Sequence, residues 1–163
     1  MSLNFFRGDC QYPSIKADSF GLCDRQDGTK AYPDTTNKST WIAEVKNANN
    51  LQIVFTAIDK CVLHDNEYEG RGRCDVMLTT ENHLYLVELN TAPKDWITVS
   101  KEQLLSTIKF ILESHDISRY KKRKAFACNK KRKAFAVIDN EENLSLFNKT
   151  GFRIDIQAEI VVV

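Results

Sequence analysis

Residues Arg71–Asn90 spell RGRCDVMLTTENHLYLVELN, and the fold class rests on how they are read. Two apolar runs, Cys74–Thr79 and Leu84–Leu89, flank a short polar turn, the pattern of a β-hairpin. In an antiparallel pair the start of the first strand lies beside the end of the second. Asp75, near the start of one, therefore meets Glu88, near the end of the other. Side chains alternate along a strand, so Glu88 and Asn90 share a side while Leu89 faces away. Two carboxylates followed by a polar side chain are the ligand chemistry that Mg²⁺ or Mn²⁺ favours.

Working outward, Pro93 stops the second strand. Trp96 then either packs in the core or stacks on a base. Ser100 is a good helix N-cap with Gln103 at the third helical position, a capping box. Leu104, Leu105, Ile108, Ile111 and Leu112 form an apolar stripe at helical spacing. The spacing predicts a helix at Ser100–Ser114, then a strand at Lys124–Asn129. Upstream, Trp41–Lys46 alternates and Leu51–Ile58 is apolar and β-branched, so the two are read as a hairpin through Asn47–Asn50; a short helix at Thr40–Lys46 is the alternative. Asp59 ends that apolar run, as a third acid of the cluster or as a turn residue. Arg71 and Arg73 either touch a phosphate or balance Asp65, Glu67 and Glu69. Towards the C-terminus a helix is expected at Glu141–Asn148, closed by Thr150-Gly151, and then one final strand over Phe152–Val163. Residues 1–40 are polar and turn-rich, a structured extension capping the sheet.

The order Asp75, strand turn, Glu88-Leu89-Asn90, helix, strand resembles the PD-(D/E)XK nuclease superfamily, over about Leu51–Asn129. The resemblance implies an α/β fold: a mixed central sheet with flanking helices and a restriction endonuclease-like core over 41–163, with residues 1–40 as a β-rich N-terminal extension of the same single domain. It implies Mg²⁺ or Mn²⁺ held by Asp75 and Glu88 and cleavage of phosphodiesters; Asp59, where it is the third acid of the cluster, is a further candidate ligand. The position of the family's lysine is Asn90 here. A neutral amide positions water but supplies no full charge to the transition state. Lys94 and Lys101 are the nearest substitutes for the ammonium, and Gln103 is a candidate contact for metal-bound water.

At 163 residues, with 42% hydrophobic and 28% charged residues, the chain has the length and composition of one soluble globular domain. No apolar run is long enough to span a bilayer. MSLNFFRG lacks the apolar core of a signal peptide, and five cysteines without CxxC spacing read as reduced thiols, so a cytoplasmic setting is expected. The net charge of +1 is unevenly distributed. Arg119, Lys121, Lys122, Arg123, Lys124, Lys130, Lys131, Arg132 and Lys133 fall within fifteen residues that hold no acid, leaving 14 basic residues against 22 acids elsewhere. A basic segment on an acidic body suggests contact with nucleic acid, through Lys121–Lys124 and Lys130–Lys133. The unit KKRKAFA occurs twice, at Lys121 and Lys130, too few copies for a solenoid. The first copy enters the expected strand; the second is a connection or a short strand. Three functions fit these features: a metal-dependent nuclease, a nuclease fold that only binds nucleic acid or protein, and a small interaction protein whose acid pair is structural.

Overall fold

Every residue of His83–Leu89 is buried, so both faces of this strand are covered, and its nearly unbroken apolar run follows from that. The computed structural model describes residues 3–130 and 140–163. In chain order the strands and helices are β1 (Ser19–Cys23), β2 (Tyr32–Asp34), β3 (Ala43–Lys46), β4 (Val54–Ala57), β5 (Val76–Thr79), β6 (His83–Leu89), α1 (Trp96–Ser114), β7 (Lys122–Cys128), α2 (Asn140–Thr150), β8 (Ile154–Ile156) and β9 (Glu159–Val161). A five-stranded sheet has the order β4-β5-β6-β7-β8, antiparallel from β4 to β6 and parallel from β6 to β8. A four-stranded sheet, β2-β1-β3-β9, forms the second β layer.

The core has two parts, one on each face of the larger sheet. Met77, Leu84 and Leu86 pack with Leu104, Ile108 and Ile111 of α1 and with Phe5 near the N-terminus. Val76, Leu78, Tyr85 and Val87 pack with Phe20, Leu22, Ala43 and Val45 of the smaller sheet. The alternation along β5 and β6 thus distributes apolar side chains to both layers. Where the smaller sheet meets the turn before β3, Gly21 is required by contact: a Cβ there would lie 2.0 Å from Cγ of Trp41.

The central hairpin forms as expected, with Val76 opposite Val87 and Thr79 opposite Leu84. Four expectations are corrected. Trp41–Lys46 and Leu51–Ile58 do not form a hairpin: β3 pairs with β1 and β9, whereas β4 pairs with β5. The intervening Asn47 is buried, and its amide exchanges hydrogen bonds with the backbone of Leu51, so the turn passes the chain between sheets. The C-terminal run is not one strand. It bends at Gln157-Ala158, placing β8 in the larger sheet and β9 in the smaller, because Ile154 and Ile160 belong to different cores. The central helix starts at Trp96, one turn before Ser100, and Ser100 lies buried inside it. The cysteines are not all free thiols: Cys10 and Cys61 form a disulfide, while Cys23, Cys74 and Cys128 remain free and buried. The α2 helix ends as expected, with Gly151 at φ 80° and its N–H donating to the Phe147 carbonyl. No helix of the described residues is long and apolar enough to cross a membrane. Lys131, Arg132, Lys133 and most of the second KKRKAFA copy lie outside the described residues.

Candidate functional site

The pairing that closes the β5–β6 hairpin also assembles an acid pair. The Asp75 N–H donates to the Val87 carbonyl (3.1 Å), and Oδ2 of Asp75 accepts from the Leu89 N–H (2.8 Å). The backbone of one strand thereby fixes the carboxylate of the other. Asp75 and Glu88 are both buried, and their side chains lie within hydrogen-bonding reach of each other. Oε1 of Glu88 is buried and has no hydrogen-bond donor. Burial is the main reason both carboxyls hold their protons more tightly. Asp75 is raised from 3.8 to about 7, with the charges of Asp24 and Asp59 adding to the effect. Glu88 is pushed well above its usual range, by burial first and then by the charge of Asp75. Two adjacent buried carboxylates cannot both ionise without a compensating cation.

The pair opens into a polar cleft of about 320 Å³ that is also lined by Asp24, Gln26, Gly28, Thr29, Asp59, Lys60, Leu89 and Asn90. Asp59 therefore belongs to the same site. Its carboxyl is raised by burial, opposed by Lys60 and Arg73, and Arg73 Nε lies 3.4 Å from it. Asn90 lines the cleft as its spacing predicts, but both ends of its amide are engaged. Oδ1 accepts from the Ala92 N–H (2.8 Å), and Nδ2 donates to Oγ of Ser100 (3.4 Å). Asn90 thus fixes the turn between β6 and α1.

Lys94, Lys101 and Gln103 do not line the cleft. Lys94 is exposed, Lys101 is ion-paired with Glu142 of α2, and Gln103 accepts the Arg73 N–H (2.8 Å). Arg71 pairs with Glu113 (2.9 Å) and covers Phe110. Trp96 is buried in the core. In place of the expected lysines, the structure brings Lys60 to the cleft, with its Nζ ion-paired to Asp65. Asp24, Gln26 and Lys60 escaped the sequence reading because each sits in a loop far along the chain, with no pattern that separates it from an ordinary turn residue. The two thiols flanking the acids offer no nucleophile: burial and the charges of Glu88 and Asp75 push Cys74 and Cys128 up.

The basic segment is divided by the fold. Lys122 is in register with His83, whereas Cys128 is in register with Leu89, so Lys121–Lys124 lie at the end of the sheet opposite the acids. Six residues at about 3.3 Å each separate the two ends by roughly 20 Å. At the far end, Lys121, Lys122, Arg123 and Lys124 line a cavity of about 340 Å³ with Tyr85, Phe147 and Arg153. Lys130 instead lies at the acid end, its N–H donating to the Ile42 carbonyl (3.1 Å).

Among the described residues, no three of His, Cys, Asp or Glu form a group poised to hold a metal ion. In comparisons with known proteins, no family model, no curated protein and no solved structure matches this chain.

Proposed function

We propose that this chain is a metal-dependent phosphodiesterase acting on nucleic acid, built on a restriction endonuclease-like core of the PD-(D/E)XK type. The observation that carries the reading is the buried Oε1 of Glu88, without a donor and beside Asp75. A buried acceptor normally has a partner, and a divalent cation satisfies both carboxylates at once. Mg²⁺ commonly uses only one or two carboxylates and keeps several waters, so a two-acid site suits it. The order β4-β5-β6-α1-β7, with an acid at the start of β5 and another near the end of β6, agrees with the motif order of the superfamily.

When bound, the metal polarises a phosphoryl oxygen and lowers the pKa of its water. The chain's own residues do the rest. Asp75 is held in place by the Leu89 N–H, and Glu88 lines the same cleft with one oxygen left without a donor. Lys60 takes the role first assigned to Lys94 or Lys101, bringing an ammonium to the same cleft. Asn90 positions the turn that closes the site. Lys121–Lys124 contact phosphates of the same nucleic acid at a distance along the sheet, rather than at the reacting bond.

One observation favours a second reading, a nuclease fold that binds without cleaving. The Asn90 amide is committed to Ala92 and Ser100, and Lys60 is paired with Asp65, so neither is free in this arrangement. The two readings separate by experiment. Calorimetric titration with Mn²⁺ should give heat in the wild type and none in Glu88→Ala; equal heats would remove the metal site. Incubation with mixed DNA and RNA in Mg²⁺ or Mn²⁺ should give metal-dependent cleavage. Metal binding without cleavage of any nucleic acid would favour the binding module.

A further inference from the structure

We infer that the cavity walled by Tyr32 and Trp41 beside the acid cleft is a nucleotide subsite, taking a phosphate and an unstacked base of single-stranded nucleic acid next to the reacting phosphate. The inference rests on the phosphodiesterase reading for its reacting phosphate; the binding it predicts does not. The cavity measures about 500 Å³, within the range that encloses a small ligand. Asp24 and Gln26 line both it and the acid cleft. Asn90 lines the cleft and Thr91 the cavity, a step of about 3.8 Å along the chain.

The walls have the chemistry of a nucleotide site. Cζ of Arg25 sits 4.2 Å from the centre of the Tyr32 ring, and Nζ of Lys130 sits 5.8 Å from that of Trp41. Both cations are exposed, and among the described residues neither is in an ion pair with a carboxylate. A cation held over a ring keeps its full charge, whereas one held by a carboxylate is neutralised. The nearby Asp34 is occupied: it accepts from Nε1 of Trp41 (2.8 Å) and from the Asn37 N–H (2.8 Å), which hold its carboxyl below the usual range. Two cations with charge to offer and the half-buried Tyr32 ring match a phosphate and a base, while the buried Trp41 serves to hold Lys130. A duplex keeps its bases stacked inside, so a recessed aromatic cavity selects a single strand. The smaller sheet thereby becomes part of the binding surface as well as a cover for the core.

The test is a fluorescence-anisotropy titration of a short fluorescein-labelled oligothymidylate in EDTA, with the full chain. No metal is involved, so the outcome is independent of catalysis. The wild type should bind this strand more tightly than a duplex of equal length. Arg25→Ser/Lys130→Ser should bind at least tenfold more weakly, and the slope of log affinity against log salt should fall by about 0.7, the value for one single-strand phosphate contact. Tyr32→Leu should weaken binding about fivefold or more with the slope unchanged, the signature of a lost stacking contact. Each variant is checked for wild-type melting, since Arg25 and Lys130 are exposed and carry no core packing. Equal affinity and equal slope in the double variant would overturn the subsite, as would the absence of wild-type binding. Subsite-dependent binding in a protein that cleaves nothing would uphold the subsite and defeat the phosphodiesterase reading. Cleavage that the double variant leaves unchanged would do the reverse.

Discussion

Replacing Glu88 by Gln should stabilise the metal-free protein, and only above acidic pH. The native Asp75 carboxyl is raised from 3.8 to about 7, a difference worth about 4 kcal/mol at 1.36 kcal/mol per tenfold. Between those pH values the native state holds a proton that the unfolded chain has released. Stability therefore falls as pH rises from about 4 to about 7, and the loss is complete above that. Glu88 is itself pushed well above its usual range, by burial first and then by the charge of Asp75, so its native proton also opposes folding above acidic pH; Glu88→Gln removes that cost, and its amide N–H replaces the donor that a protonated Glu88 offers Asp75. The expected gain is roughly 2 kcal/mol near pH 8, within the range of single-residue effects, or about 4–8 °C in Tm for a chain of this size. Near pH 4 the two proteins should melt almost together, because the wild-type pair is protonated there. Circular-dichroism melts in EDTA at both pH values measure this. Saturating Mn²⁺ should then raise the wild-type Tm near pH 8 and leave the variant unmoved, since the ion binds the native acid pair. A Tm gap that is the same at both pH values, or a variant that is less stable near pH 8, would refute the argument that this pair is held together against its own charge.

Two further outcomes are expected. Asn90→Lys should raise metal-dependent cleavage, by up to the 10²–10³ that one preorganised charge typically contributes, and the gain should vanish in a Glu88→Ala background; cleavage assays in the four combinations test it, and an unchanged rate would indicate that Lys60 already supplies the charge. Reducing the Cys10–Cys61 disulfide, which spans a sequence separation of 51, should cost up to about 4 kcal/mol from loop-closure entropy; urea melts with and without reductant check this, and coincident midpoints would show that the cross-link contributes nothing.

The parts of this molecule that were legible in the sequence are those where local pattern and tertiary environment agree. The Asp75–Glu88 pair followed from a hairpin whose register is set by two apolar runs, and α1 from a stripe of leucines and isoleucines. The misreadings share one physical cause. Trp41–Lys46 and Phe152–Val163 have strand patterns, but a strand pattern does not say which sheet a strand joins. The two sheets cover opposite faces of one core, so neighbouring segments leave for different layers, and only the contacts of Ile154 and Ile160 distinguish them. The disulfide was missed for a related reason, since Cys10 and Cys61 become neighbours only once the N-terminal segment folds over the α1 side. The site residues supplied by loops, Asp24 and Lys60, carried no local signal at all.

Under the proposed function, the distribution of charge along the parallel strands constrains how a nucleic acid would lie on this fold. Lys121–Lys124 and the acid pair occupy opposite ends of β7 and β6, roughly 20 Å apart by register. At physiological ionic strength the screening length is about 8 Å. The basic patch therefore exerts almost no field at the acids and does not shift their protons; the largest causes acting on Asp75 and Glu88 are burial, the Leu89 N–H and other carboxylates, with no lysine or arginine. Under the proposed function its contribution would be by direct contact, with a strand long enough to reach it. Near the acids, the cations are instead Lys60 in the cleft and Arg25 and Lys130 in the adjoining cavity. A strand following this layout would cross from Arg25 and Lys130, over the acid pair, and on along the sheet. Ionised carboxylates in the middle of that path would repel it until a divalent cation neutralised them, so under the proposed function metal occupancy and nucleic-acid binding would be coupled by charge, before any chemistry occurs.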